Sequence, residues 1–137
     1  MAVGTLAGPA SAADDGFFKG RQVTVVVPSG SGGTYHLYCQ ILARHLGKHL
    51  GGAKVITQNM PGAGGARAAR YMVTAAPKDG SYISMINPGA IAVPLMRPSV
   101  GFDTREMKWL GSMSGRAYTI GVWHKSPVKT LAEAKKQ

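Results

Sequence analysis

The chain has 137 residues, enough for one domain with a real core but not comfortably for two. It carries 16 Lys+Arg against 6 Asp+Glu, a formal charge of +10, which favours anionic ligands; the bases (Arg44, Lys48, Arg67, Arg70, Arg97, Arg105) are scattered, and without a basic stripe, zinc-finger or aromatic RNP pattern nucleic acid is set aside. Cys39 is the single cysteine, which excludes an intramolecular disulfide and a cysteine-based metal site, and no apolar run reaches transmembrane length.

Residues 1–12 read as the remnant of a secretory signal peptide: Ala10-Ser11-Ala12 fits the small-residue cleavage rule after a weakly apolar stretch, although the positive n-region is missing. A plain small-residue tail is the alternative. Residues 21–27 form the first predicted strand, where the unbroken β-branched run from Val23 to Val27 asks to be buried on both faces. Pro28 ends it, having no N–H for a ladder. Ser29-Gly30-Ser31-Gly32-Gly33 then turns sharply into a helix predicted over 34–50, with Thr34 as its N-cap. Leu37, Ile41, Leu42, Leu46 and Leu50 recur at helical spacing, and Cys39 reads as a buried structural residue.

Gly51-Gly52 stops that helix. A second strand, 54–59, runs into a second glycine loop, Asn59-Met60-Pro61-Gly62-Ala63-Gly64-Gly65, and a helix over about 66–76 follows. After the turn Pro77-Lys78-Asp79-Gly80 comes a third strand, 82–86, then the loop Asn87-Pro88-Gly89-Ala90 and a helical turn over 91–96 that Pro94 keeps short. Residues 97–106 are a polar connection. Two apolar stretches, 107–113 and 119–123, read as strands joined across Ser114-Gly115-Arg116, with Trp109 and Trp123 in the core. Thr130-Leu131-Ala132-Glu133 has capping-box spacing and announces a helix; Gln137 comes one turn later, so a longer protein is expected to continue.

Three strands, each followed by a glycine-bearing loop, predict an α/β fold with a mainly parallel sheet flanked by helices. Ligands of such sheets bind where the loops converge at the carboxyl ends of the strands. The first loop and helix N-terminus make an anion site, with free N–H groups and the positive end of the helix dipole facing a carboxylate or phosphate.

At these loops the sequence resembles the Bug-type (TctC-like) periplasmic substrate-binding proteins of tripartite tricarboxylate transporters. The family's P-x-x-x-G-G-x-x-D loop corresponds to residues from Pro28 through Gly32-Gly33 to His36, and its N-x-P-G-A-G-G motif is matched in full from Asn59 to Gly65. Ala76-Pro77-Lys78-Asp79-Gly80 echoes an A-x-P-D-G turn with one residue inserted, and P-V-K-T-L-x-E is matched from Pro127 to Glu133. The resemblance implies the first domain of a two-domain Venus flytrap, a periplasmic-binding-protein-like fold incomplete at its C-terminus, with residues 13–113 as that domain and 114–137 as the crossover into a second. It implies a periplasmic, non-enzymatic receptor, monomeric when complete and without cofactor. Such a receptor holds a small carboxylate solute on the first two loops, partly through water, and delivers it to the membrane components of a tripartite tricarboxylate-type transporter.

The candidate ligand-binding residues are Ser31, Gly32, Gly33, Thr34, Tyr35 and His36 in the first loop, Gly62, Ala63 and Gly64 in the second, and Asn87 and Gly89 in the third. His36 stands where the family usually has Asp, placing an imidazole, a group that titrates near neutral pH, where an acid is expected. Its plainer reading is a helix-surface residue; that of Asn87 is a helix cap, and that of the glycine loops is tight turns without a ligand. His45 and His49 have i, i+4 spacing but no neighbouring acidic base, so a solvated helix face is preferred to a metal site. No nucleophile elbow, carboxylate pair or Cys–His arrangement supports catalysis. The rival reading is a Rossmann-like nucleotide- or phosphate-binding domain of an enzyme; against it, Gly30-Ser31-Gly32-Gly33 does not complete G-x-G-x-x-G, and no G-K-[ST] follows either loop.

Overall fold

A computed structural model describes residues 16–113, 115 and 121–136; the signal-like residues 1–12 lie outside them. Strand β1, Gln22–Val27, is the centre of a three-stranded parallel sheet, with β2, Lys54–Asn59, on one side and β3, Tyr82–Ser84, on the other. Register runs from Gln22 opposite Lys54 to Val27 opposite Asn59, and from Thr24 opposite Tyr82 to Val26 opposite Ser84. A strand paired on both edges and covered on both faces has no polar side, which is why a continuous valine run suits it. Val23, Val25, Val26 and Val27 are fully buried, each contributing about 1.5–3 kcal/mol relative to exposure.

The strand order dictates where the helices go. The chain steps from β1 to β2 in one direction and returns past β1 to reach β3. Right-handed crossovers therefore put α1, Thr34–His49, and α2, Ala66–Thr74, on opposite faces. Under α1, Val25, Val27 and Cys39 pack with Tyr35, Leu42, Ala43, Val55 and Met85. Around α2, Ala66, Ala69 and Val73 pack with Ala90 and Phe102. Burial pushes the Cys39 thiol up to about 11, so it packs as a small apolar group and carries no thiolate chemistry at neutral pH.

Several expectations are corrected. Gly33, in extended conformation, is the N-cap of α1, and Thr34 is its first helical residue. The inward stripe of α1 is the buried Cys39 with the half-buried Tyr35, Leu42 and Ala43, while Leu37 and Ile41 face solvent. The small side chain of Cys39 lets the helix lie close over Val25 and Val27, and that choice of contact turns the two larger residues outward. Helix α3, Pro88–Met96, is longer than expected. Pro88 starts it with a φ already suited to a helix, Asn87 caps it, and Pro94 removes one hydrogen bond without ending it.

Residues 107–113 form no strand, and neither do 121–123; the rest of the second expected strand, with Ser114 and Arg116 of its turn, lies outside the described residues. Their apolar content is real, but an isolated run finds no partner edge on this sheet, and Trp109 and Trp123 are exposed rather than in the core. Near the C-terminal end the capping box is present: the Thr130 hydroxyl accepts from Glu133 N–H, and the Glu133 carboxylate accepts from Thr130 N–H, opening α4, Leu131–Ala134.

Two glycines are required by close approach. A Cβ on Gly47 would stand 2.6 Å from the Ala53 carbonyl oxygen, where the end of α1 lies against the start of β2. Gly65 has φ +94°, and a Cβ there would meet Asn87 Cβ at 3.2 Å and Pro28 Cβ at 3.3 Å. Gly47→Ala should therefore lower stability by about 1–3 kcal/mol through overpacking, against the ~1 kcal/mol that alanine normally adds inside a helix. Gly65→Ala should cost a similar ~1–3 kcal/mol from strain and crowding together. Urea or thermal denaturation checks both, and a Gly47→Ala protein that melts higher than the parent would show that α1 can simply move away.

Candidate functional site

All three βα loops open at the carboxyl end of the sheet. The first, residues 28–33, leaves β1 through the buried Pro28 and exposes Ser31, Gly32 and Gly33. The second leaves β2 beside it, and Met60 N–H still donates to the Val27 carbonyl at 2.8 Å, so the chain keeps step with β1 past the last ladder pair. It then bends back across the end of β1. Gly62, Ala63, Gly64 and Gly65 take four successive positive φ values of 136°, 48°, 61° and 94°. Ala63 is the one non-glycine with positive φ among the described residues, a conformation that costs about 1–2 kcal/mol. Such strain persists only where the surrounding packing over-determines the backbone.

A side chain ties the two loops together. Asn59, the last residue of β2, donates through Nδ2 to the Ser29 carbonyl oxygen at 2.9 Å and contacts His36 Nδ1 at 3.1 Å. The other ring nitrogen of His36 lies 2.9 Å from Gln40 Nε2, one turn along α1. Both imidazole nitrogens are thus engaged within the protein. Tyr35, beside it, packs against the cluster of Val25, Val27 and Cys39.

The helix N-termini differ in a telling way. Neither α1 nor α2 has a side-chain cap or an acidic residue in its first turn. By contrast, α3 is capped by Asn87, whose Oδ1 accepts from Gly89 N–H at 3.0 Å, and α4 by the Thr130–Glu133 box. The N-cap glycines of the two helices fed by the adjacent loops therefore supply no side-chain acceptor, and no acidic residue in either first turn offsets the positive dipole end. The described carboxylates stand elsewhere. Asp79 sits at the opposite end of the sheet, its carboxyl held below the usual range by the Ser81 hydroxyl and N–H; Asp103 is held low by Arg105.

Next to Ala63 a groove of about 440 Å³ runs along α2, its apolar floor including Met60 and Phe102 and its rim carrying Arg67 and Arg70. Among the described residues no three of His, Cys, Asp and Glu stand together as a metal site, and no helix is long and apolar enough to cross a membrane.

Of the sequence-derived candidates, Ser31, Gly32, Gly33, Thr34 and His36 lie on one loop-helix junction, with Gly62, Ala63 and Gly64 on the loop that Asn59 ties to it. Asn87 and Gly89 are spent on each other in the α3 cap. The sequence reading passed over Asn59 and Gln40 as partners of His36, and Gly65 as the point where Pro28, Asn87 and Ala90 meet. Asn59 opens the second glycine motif, and that placement was the available signal.

Residues 38–136 match the family model of the tripartite tricarboxylate transporter family receptor (TctC), a span that includes the second glycine loop and begins just after the first. Among curated proteins the chain is similar to a UPF0065 protein in the gbd 5′ region of Cupriavidus necator, 30% identical over 132 residues, covering 96% of this chain and 39% of that one. It is also similar to a UPF0065 protein of Bordetella bronchiseptica, 26% identical over 114 residues, covering 82% of this chain and 34% of the relative. The chain thus spans between a third and two fifths of the length of these relatives. No solved structure gives a significant match. With the family matched over most of its length on a parallel sheet whose glycine loops share one end, the chain belongs to the tripartite tricarboxylate transporter receptor family.

Proposed function

We propose that this chain carries the ligand-receiving part of an extracytoplasmic solute receptor that binds a small carboxylate and delivers it to the membrane components of a tripartite tricarboxylate-type transporter. One observation carries the reading: two adjacent parallel strands bring two uncapped helix N-termini to one end of the sheet, at loops that hold no acidic residue. Backbone N–H groups there donate to the carboxylate oxygens, directly or through water, and the helix dipoles favour the negative charge. The net charge of +10 adds a field that draws anions in and weakens as salt rises. In this reading residues 13–113 form the first domain, 114–137 lead into a second that closes over the solute, the complete receptor is a periplasmic monomer, and its work is capture rather than catalysis.

The complete reading frame containing this chain, screened by thermal shift against small carboxylates, inorganic phosphate and nucleotides, tests the proposal. A carboxylate at a hundred times its dissociation constant should add about 2.7 kcal/mol of stability. Stabilisation by nucleotides with no response to any carboxylate would return the glycine loops to the Rossmann-like nucleotide or phosphate reading.

Gly33→Asp offers a sharper check. Gly33 has the extended φ of −86° and ψ of 168° that an Asp cap adopts, and a Cβ would meet only Ser29 Oγ, at 3.8 Å. A carboxylate built in at the N-cap should raise stability by a few tenths to about 1 kcal/mol. It should also compete with the solute for the same donors and weaken carboxylate binding about tenfold or more. Calorimetric titration beside a melting curve reads both; a more stable variant with unchanged affinity would mean that the α1 N-terminus is not where the solute sits.

A further inference from the structure

The hydrogen bonds around His36 do not balance as a neutral imidazole with two amide donors. A neutral ring has one N–H and one bare nitrogen, yet Asn59 Nδ2 lies 3.1 Å from Nδ1 and Gln40 Nε2 lies 2.9 Å from Nε2. One amide must present its oxygen. Asn59 is not free to do so, because the same Nδ2 donates to the Ser29 carbonyl at 2.9 Å, and a half-turn would put oxygen against oxygen. The Gln40 amide is bound to His36 alone among the described residues, so it can turn without breaking another bond. The consistent arrangement has Nδ1 bare and accepting from Asn59, and Nε2–H donating to the Gln40 amide oxygen.

A second proton changes this. Taken from solvent onto Nδ1, it makes that nitrogen a donor facing the Asn59 NH2 group, donor against donor. Asn59 must then release either His36 or, by turning, Ser29. Among the described residues no carboxylate is paired with the ring to absorb the new charge: α1, β2 and α2 carry no acidic residue, their charged side chains being bases (Arg44, Lys48, Lys54, Arg67 and Arg70) beside histidines, tyrosines and the Cys39 thiol, and Asp79 lies at the other end of the sheet. We infer that Asn59 is the positioning residue that fixes the first glycine loop against the second, and that protonation of His36 loosens its hold. As a statement about solute binding this rests on the carboxylate-receptor reading; as a statement about the loops it does not.

The test has two arms on the protein expressed from its complete reading frame. In the ligand-free protein, long-range proton–nitrogen NMR should find the neutral His36 ring protonated at Nε2. The Asn59 side-chain amide signals should move with the same midpoint as the ring. A neutral ring protonated at Nδ1, or Asn59 signals indifferent to the titration, overturns the inference whatever the protein binds.

The second arm follows affinity for acetate and succinate from about pH 8 to about pH 5. In Asn59→Ala only the gain of imidazolium charge remains, so acidification should strengthen binding. In the parent the loosened tie opposes that gain, and the increase should be smaller by about two- to tenfold, the worth of one hydrogen bond. The probe's own protonation cancels in the comparison. His36→Asn, which can offer Asn59 an acceptor and takes no proton, should lose the ring's contribution to the pH profile whatever its affinity at high pH. Equal pH profiles for parent and Asn59→Ala overturn the positioning role. If NMR shows the tie and its release while neither these probes nor any other carboxylate binds the parent at any pH, the receptor reading fails and the loop tie stands.

Discussion

The arrangement of the carboxyl end of the sheet depends on how closely the second glycine loop passes the end of β1. Because β1 lies between its two successors, the chain leaving β2 must cross that end to reach α2 on the opposite face. It does so at Gly65, where Pro28 of the first loop and Asn87 and Ala90 of the third stand within reach of a missing Cβ. A side chain at that point would push the three segments apart, and with them the two helix N-termini that share this end of the sheet. The strained backbone over residues 62–65 is sustained by the packing of the helix it leads into. Ala66, Ala69 and Val73 bury α2 against α3 and Phe102, an apolar contact that offsets the ~1–2 kcal/mol held at Ala63.

The core has its origin in the same topology. Burial is concentrated in β1 and on α2, with Cys39 on α1, while several large apolar side chains from Leu95 onward, including Met96, Trp109, Leu110 and Trp123, are exposed. A strand central to a parallel sheet gains two partner edges and two covered faces, so its side chains supply most of the dense packing. Residues beyond α3 have only the α2–α3 surface to lean on, and of these Val100, Phe102 and Met107 reach it. The change from a buried to an exposed apolar pattern therefore falls where the sheet ceases to offer a face.

How far the sequence foretold this differs by element, for physical reasons. β1 was legible because five β-branched residues in a row satisfy only a doubly covered strand, and the Thr130–Glu133 cap because its partners are three residues apart. The buried side of α1 was not. Leu37 with Ile41 and Tyr35 with Cys39 share the same helical period, and only the fit over Val25 and Val27 decides between the two stripes. Residues 107–113 were read as a strand from composition, but a strand exists by virtue of its partner. The glycines were legible as loops sharing one end of the sheet because each run follows a strand. The bonds from Asn59 to Ser29 and His36 join residues 30 and 23 positions apart, and only the parallel pairing of β1 with β2 brings them together.

The distribution of helix caps joins these threads. An Asn or Asp at an N-cap would add a few tenths of a kcal/mol over glycine, and both are placed freely elsewhere in the chain, as Asn87 on α3 shows. Gly33 and Gly65 instead cap α1 and α2, and Gly33 has room for a larger side chain. Crowding explains Gly65; it does not explain Gly33. A glycine cap at an unhindered position, in a chain with ten more bases than acids, leaves the positive end of the helix dipole without an acceptor from its own cap residue. On the proposed carboxylate reading, the stability withheld at Gly33 is small against the several kcal/mol that a bound anion would return by mass action, so a helix capped by its ligand would be slightly weaker empty and considerably stronger filled.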